Sequence, residues 1–180
     1  MNSLAITYSS LGRPEEALPL QEAVLYKQRE LLGPDHLDTL AAMNNLAITY
    51  SSLGRESEAL PLDEEVLWKR KGLLGPDHLD TLGAMNNLAS TYRSLGRETD
   101  SLPLYREVFE KRNHLLGPEH RDTLAVMYNL ILVFHQLGMV TELDTMAAIA
   151  LPIHEKVYGI DHPDTMFIRY LLGWNTRYQN

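Results

Sequence analysis

A four-residue joint, Gly33-Pro34-Asp35-His36, returns as Gly75-Pro76-Asp77-His78, as Gly117-Pro118-Glu119-His120 and as Gly159-Ile160-Asp161-His162. From 33 to 75 to 117 to 159, each step is 42 residues. Asp38-Thr39, Asp80-Thr81, Asp122-Thr123 and Asp164-Thr165 keep the same register, and so do Leu11-Gly12, Leu53-Gly54, Leu95-Gly96 and Leu137-Gly138. The units 33–74 and 75–116 agree at 30 of their 42 positions without a gap. A repeat of this length implies stacked supersecondary units, none of which buries its apolar face alone.

Each unit reads as two helices. In the first, Leu40, Met43, Leu46, Ala47 and Tyr50 recur at spacings of three and four, the period of one helix face. Gly54 supplies the left-handed residue that ends it. The second helix turns Ala59, Leu62, Val66 and Leu67 inward. Gly75-Pro76 stops it, since glycine takes the C′ conformation and proline cannot continue the ladder. Asp77 or His78 then caps the next helix, and Asp80 suits its positive end. The predicted order is a half helix A (1–11), B (14–32), A (36–53), B (56–74), A (78–95), B (98–116), A (120–137), B (140–158) and a closing helix (162–178). Pro19, Pro61 and Pro103 fall inside the B pattern, either at the edge of the first turn or as a mild kink. The expected fold is an all-α solenoid of antiparallel helix pairs in one domain. Its units are 1–32 (truncated), 33–74, 75–116, 117–158 and the closing segment 159–180.

The run Met43-Asn44-Asn45-Leu46-Ala47-Ile48-Thr49-Tyr50-Ser51-Ser52-Leu53-Gly54-Arg55-Glu56 resembles the first half of a tetratricopeptide repeat. Leu46, Ala47, Tyr50, Gly54 and Ala59 fall on that family's packing positions. The 42-residue length, the Leu-Gly-Pro-Asp-His joint and the Asn-Asn-Leu-Ala core are similar to the kinesin light chains. They are similar also to the C-terminal repeat arrays of fungal and bacterial NTPase-type, NLR-like receptors, and near-identity of neighbouring units favours those arrays. The resemblance implies a right-handed superhelix whose A helices line a concave groove for a peptide or a partner's helix, as in a scaffold, adaptor or receptor. The groove positions it implies are Ala41, Asn44, Asn45, Ile48 and Ser51; Gly83, Asn86, Asn87, Ser90 and Arg93; and Ala125, Tyr128, Asn129, Leu132 and His135. The asparagines at Asn45, Asn87 and Asn129 are implied to hydrogen-bond the backbone of an extended ligand. An amide both donates and accepts, so it pairs with a peptide unit without reading its side chain; alternatively, these asparagines bond the neighbouring helix.

Charge narrows the partner. The chain carries −8 with 44% hydrophobic residues, a folded composition that repels phosphate. Nucleic acid and anionic membrane are therefore not expected partners. Arg93 is the lone cation among the groove positions, which argues against a clamp for acidic tails and against acidic cargo peptides. With no cysteine, no basic-then-apolar leader and no apolar run of about 18 to 20 residues, the sequence predicts a cytoplasmic protein.

No Ser-His-Asp, His-Glu-x-x-His or phosphate-binding glycine motif occurs, so neither catalysis nor a cofactor is expected. The four joint histidines, His36, His78, His120 and His162, are expected to cap or pack. Equivalent residues of stacked repeats sit about 10 Å apart, whereas metal ligands converge within about 2.6 Å of one ion. His114, His135 and His154 read as surface or groove residues. Asp63-Glu64-Glu65 reads as negative charge early in its helix, and Trp68, which stands where the next unit has Glu110, as exposed on the convex B face. Met1 shares its register with Met43, which places the chain start within an A helix and leaves an apolar edge around Leu4, Ile6 and Leu11. At the other end Met139-Val140 replaces Arg-Glu, and the run Met146–Leu151 is unusually apolar. The closing helix, with Tyr170, Leu171, Leu172, Trp174 and Tyr178, reads as a cap or another truncated repeat. Apolar ends give the second functional reading, end-to-end self-association into a homo-oligomer.

Overall fold

The computed structural model describes residues 7–8 and 11–178, with side chains described through residue 173. The half helix 1–11 lies mostly outside these residues, as do Met1, Leu4, Ile6 and the side chains of Trp174 and Tyr178. The described elements are all α-helices, and they fall in two compact units, Met1–Gly96 and Arg97–Asn180.

The first unit holds α1 (Pro14–Leu32), α2 (Leu37–Ser52), α3 (Glu56–Leu74) and α4 (Leu79–Ser94); the second holds α5 (Glu98–Leu116), α6 (Arg121–Gln136), α7 (Val140–Tyr158) and α8 (Pro163–Tyr178). Consecutive helices of each unit pack on one another, and α2 also meets α4, as α6 meets α8. That pattern is a stack of helical hairpins. Every predicted boundary from residue 14 onward stands within one residue of the observed one.

The inward stripe is the one the periodicity marks. Leu40, Leu82 and Leu124 are fully buried, and Met43, Met85 and Met127 are at most 2% exposed. On α3, Val66 clusters with Leu40 and Met43, and Ala59 is fully buried. Each buried Leu or Met contributes roughly 1.5–3 kcal/mol by leaving water, which is why α2 cannot stand without α1 and α3.

The joints have two glycine geometries. Gly54 ends its turn at φ 69°, the left-handed value expected. Gly75 departs from the expected C′ conformation: φ is 89° but ψ is 164°, an extended conformation at positive φ that essentially only glycine adopts. It turns the chain outward into Pro76 instead of continuing the coil.

Histidine, not aspartate, is the cap. Nδ1 of His36, His78 and His120 accepts from the backbone N–H of Asp38, Asp80 and Asp122 at 3.1 Å, and His162 does the same for Asp164 at 3.3 Å. Each ring therefore carries its proton on Nε2. From the preceding B helix, Arg70 donates to the Asp80 carbonyl at 3.0 Å and Arg112 to the Asp122 carbonyl at 3.2 Å, tying hairpin to hairpin.

Pro61 is the sixth residue of α3, beyond the first turn, and the helix runs through it unbroken. Pro19, Pro61 and Pro103 are exposed, so water can satisfy the carbonyls they leave without a donor. Pro152 does the same inside α7, unannounced by the B pattern of the other units.

Candidate partner-binding groove

Where α2 and α4 lie side by side in the first unit, Ile48, Ser51, Asn87 and Ser90 line one pocket of about 410 Å³. All four are groove positions in the sequence reading. Ser52, Thr91 and Asp63 complete the lining, and Asp63 reaches it from α3. Ile48 is 46% exposed and gives the pocket an apolar lip.

Asp63 is the residue that sequence reasoning missed. Grouping it with Glu64 and Glu65 as charge at the start of a helix misplaces it, for it is the eighth residue of α3, past the first turn where the dipole acts. The three acids do not share a face. Glu64 is exposed and accepts from the Tyr92 hydroxyl at 3.0 Å, and Glu65 pairs with Lys69 at 2.6 Å. Asp63 is 3% exposed, and its Oδ2 accepts from the Thr91 hydroxyl at 2.6 Å. Burial pushes its carboxyl up to about 6, the Thr91 hydroxyl acting weakly in the opposite direction. The signal was present: Ala59, Asp63 and Val66 stand at i, i+4 and i+7 on the buried stripe.

The other predicted groove residues divide. Asn87 donates through Nδ2 to Asn44 Oδ1 at 2.9 Å, so these two amides join the helices of neighbouring repeats, as the alternative reading held. Asn45 and Asn129 are half-buried, and Asn86 keeps a buried Oδ1 with no partner among the described residues. Arg93 is half-buried, with its Nε in the same condition. On α6 of the second unit, Leu132 is half-buried, and Tyr128 packs edge-on against Phe167 of α8 with ring centroids 6.0 Å apart.

Outside the groove, His114 and His135 are exposed but His154 is not, which corrects the surface reading. His154 occupies the repeat position of Arg70 and Arg112. It is fully buried, with Nδ1 2.9 Å from the Ala150 carbonyl, and burial lowers its pKa. Trp68 is 75% exposed, and it lines a second pocket of about 470 Å³ with Asp35, Lys69 and Leu73. Among the described residues no helix is long and apolar enough to cross a membrane.

Paired helices stacked at a 42-residue step define a helical-repeat protein. Two family models, both described as tetratricopeptide repeat, match residues 1–67 and 81–122, together well over half of the chain. A kinesin-light-chain candidate of Podosopora anserina, described as having nearly identical TPR-like repeats, has a solved structure similar at a TM-score of 0.81 and 27% identity. The match covers 94% of this chain and 81% of that one. A singly substituted variant of the same Podosopora protein gives 0.82 and 27%, over 94% and 80%. BtubC (BKLC) of P. vanneervenii shares the fold at 0.78 and 22%, over 94% and 68%. No curated protein matches closely enough to count as a relative. The chain belongs to the tetratricopeptide-repeat family, and its fold is similar to that of kinesin-light-chain-like repeat proteins. Such repeats generally mediate protein–protein interaction. Near-identity of units, which favours receptor arrays in the sequence reading, is a feature of the Podosopora protein as well, so it does not separate the two relatives.

Proposed function

We propose that the chain is a non-enzymatic interaction module, part of a scaffold, adaptor or receptor, that holds an extended peptide or a helix in its A-helix groove. The observation that carries this reading is the pocket between α2 and α4, in which Ile48, Ser51, Asn87 and Ser90 converge over a polar floor. Asn45, also on α2, carries an amide able to pair with a peptide unit. Asn86 and Arg93 on α4 are further contacts in this reading, while Asn44 acts through its bond to Asn87; in the second unit, by itself, Tyr128, Asn129 and Leu132 of α6 are the corresponding candidate contacts. A protein or peptide partner suits the net charge of −8, and nucleic acid and anionic membrane do not. A cytoplasmic setting fits a chain without cysteine.

The test replaces Asn45 and Ser90 with Ala, leaving the Asn44–Asn87 bond in place. Helical circular dichroism should be unchanged, while partners captured from the native host by the parent chain should be lost. Capture equal to that of the parent would overturn the groove assignment.

A further inference from the structure

A carboxylate inside a helical repeat needs a reason, because an acid withdrawn from water without a cation costs stability. Asp63 has Thr91 as its hydrogen-bond partner and no ion pair among the described residues. The Thr91 hydroxyl occupies Oδ2, and Oδ1 takes no hydrogen bond among the described residues. Asp63 lines the pocket, whose other walls are the hydroxyl-bearing Ser51, Ser52 and Ser90 and the amide of Asn87. These groups accept hydrogen bonds from a cation, and no Lys or Arg lines the pocket to compete for the acid.

Building on the groove reading above, we propose that this pocket is a lysine-selective subsite: a partner's extended segment lies along α2 and α4 and inserts one lysine ammonium onto Asp63 Oδ1. Three features favour lysine over arginine. One free carboxylate oxygen matches a compact point charge, whereas a guanidinium fork is best met by two. The surrounding serine hydroxyls can take the remaining ammonium protons. Ile48 at the lip, 46% exposed, offers apolar surface to a four-carbon stem. Peptide backbone is the natural carrier because amides stand beside the acid, not a second anion. The site also explains why an acid is kept where it is poorly solvated: burial raises the carboxyl to about 6, and an arriving ammonium restores the charge balance. None of the repeat-equivalent positions can do this, since residue 21 is Gln, residue 105 is Tyr and residue 147 is Ala. The subsite occurs once among these four positions.

The experiment titrates the full chain with the probe Ac-Ala-Ala-Lys-Ala-Ala-NH2 and with its norleucine counterpart, following backbone amide resonances of Asn87, Ser90 and Thr91. At pH 7.5 the lysine peptide should bind on the order of tenfold more tightly than the norleucine peptide. Asp63→Asn, which keeps the side-chain shape and an acceptor for Thr91, should reduce that ratio to less than about twofold. At pH 5 the parent chain should lose most of its preference, because Asp63 is then protonated. Equal binding of the two peptides in the groove would overturn the lysine subsite and leave the groove reading standing. Failure of both to move these resonances at millimolar concentration would overturn the subsite and the groove together. Preference surviving in Asp63→Asn would show that another acid attracts the lysine and would overturn the assignment as well.

Discussion

The two compact units share a backbone repeat but fill it with different chemistry. In the first, the hydroxyls of Tyr50 and Tyr92 donate to Glu22 and Glu64, each at 3.0 Å. In the second, the same two positions hold Phe134 and Arg106, and the guanidinium lies 5.5 Å from the ring centre. Asp63 and Thr91 form a buried hydrogen-bonded pair; their counterparts Tyr105 and Val133 are both fully buried. Asn44 bonds Asn87 in the first unit, whereas Tyr128 packs on Phe167 in the second. Tyr92 and Glu64 change together to Phe134 and Arg106, and Asp63 and Thr91 change together to Tyr105 and Val133. A repeat frame thus tolerates either a polar or an apolar lining, and in our reading the polar one serves the partner.

The frame itself should respond alike in both units. Leu82 and Leu124 are equivalent and fully buried, so Leu82→Ala and Leu124→Ala should each cost about 2–5 kcal/mol in urea unfolding. A large cost in one unit and almost none in the other would break the shared frame. Asp63→Asn should go the other way and stabilise the chain by about 1–3 kcal/mol at pH 7.5. The sign follows from the raised carboxyl: the folded chain holds this proton up to about pH 6 and the unfolded chain only to about 3.8. Stability from this group therefore falls as pH rises through that window. The gain from Asn should be full above pH 6 and vanish below pH 3.8, and Tyr105→Phe in the second unit should show no such profile.

Smaller effects sharpen the contrast. His78→Ala and His120→Ala remove caps of identical 3.1 Å geometry and should each cost about 1 kcal/mol, largely restored by Asn. Tyr92→Phe makes the first unit resemble the second without supplying Arg106. It should cost only about 0.5 kcal/mol, because its bond to Glu64 is solvent-exposed, and adding Glu64→Arg should recover part of it.

Fold and site were unequally legible. Gly, Pro and His punctuate the chain at fixed intervals, and each acts through local backbone chemistry, so helix ends could be placed within a residue. The groove row was legible through the resemblance to tetratricopeptide repeats, which carries residues 48, 51, 87 and 90 over position by position. Asp63 was legible in principle from its place between Ala59 and Val66, but reading it with exposed Glu64 and half-buried Glu65 hid that. The Asn44–Asn87 bond spans 43 residues and depends on how α2 meets α4, which no local pattern encodes. His154 failed for a similar reason: its depth is set by the hairpin that receives it, not by its own neighbours.

Carbon-detected NMR titration of the Asp63 side chain bears most directly on the polar lining of the first unit. A midpoint near 6 that falls when the lysine peptide is bound, and does not fall with the norleucine peptide, is the predicted result. A midpoint near 3.8 in the free chain would mean that this carboxylate is well solvated, and the buried, partner-facing pocket would not exist.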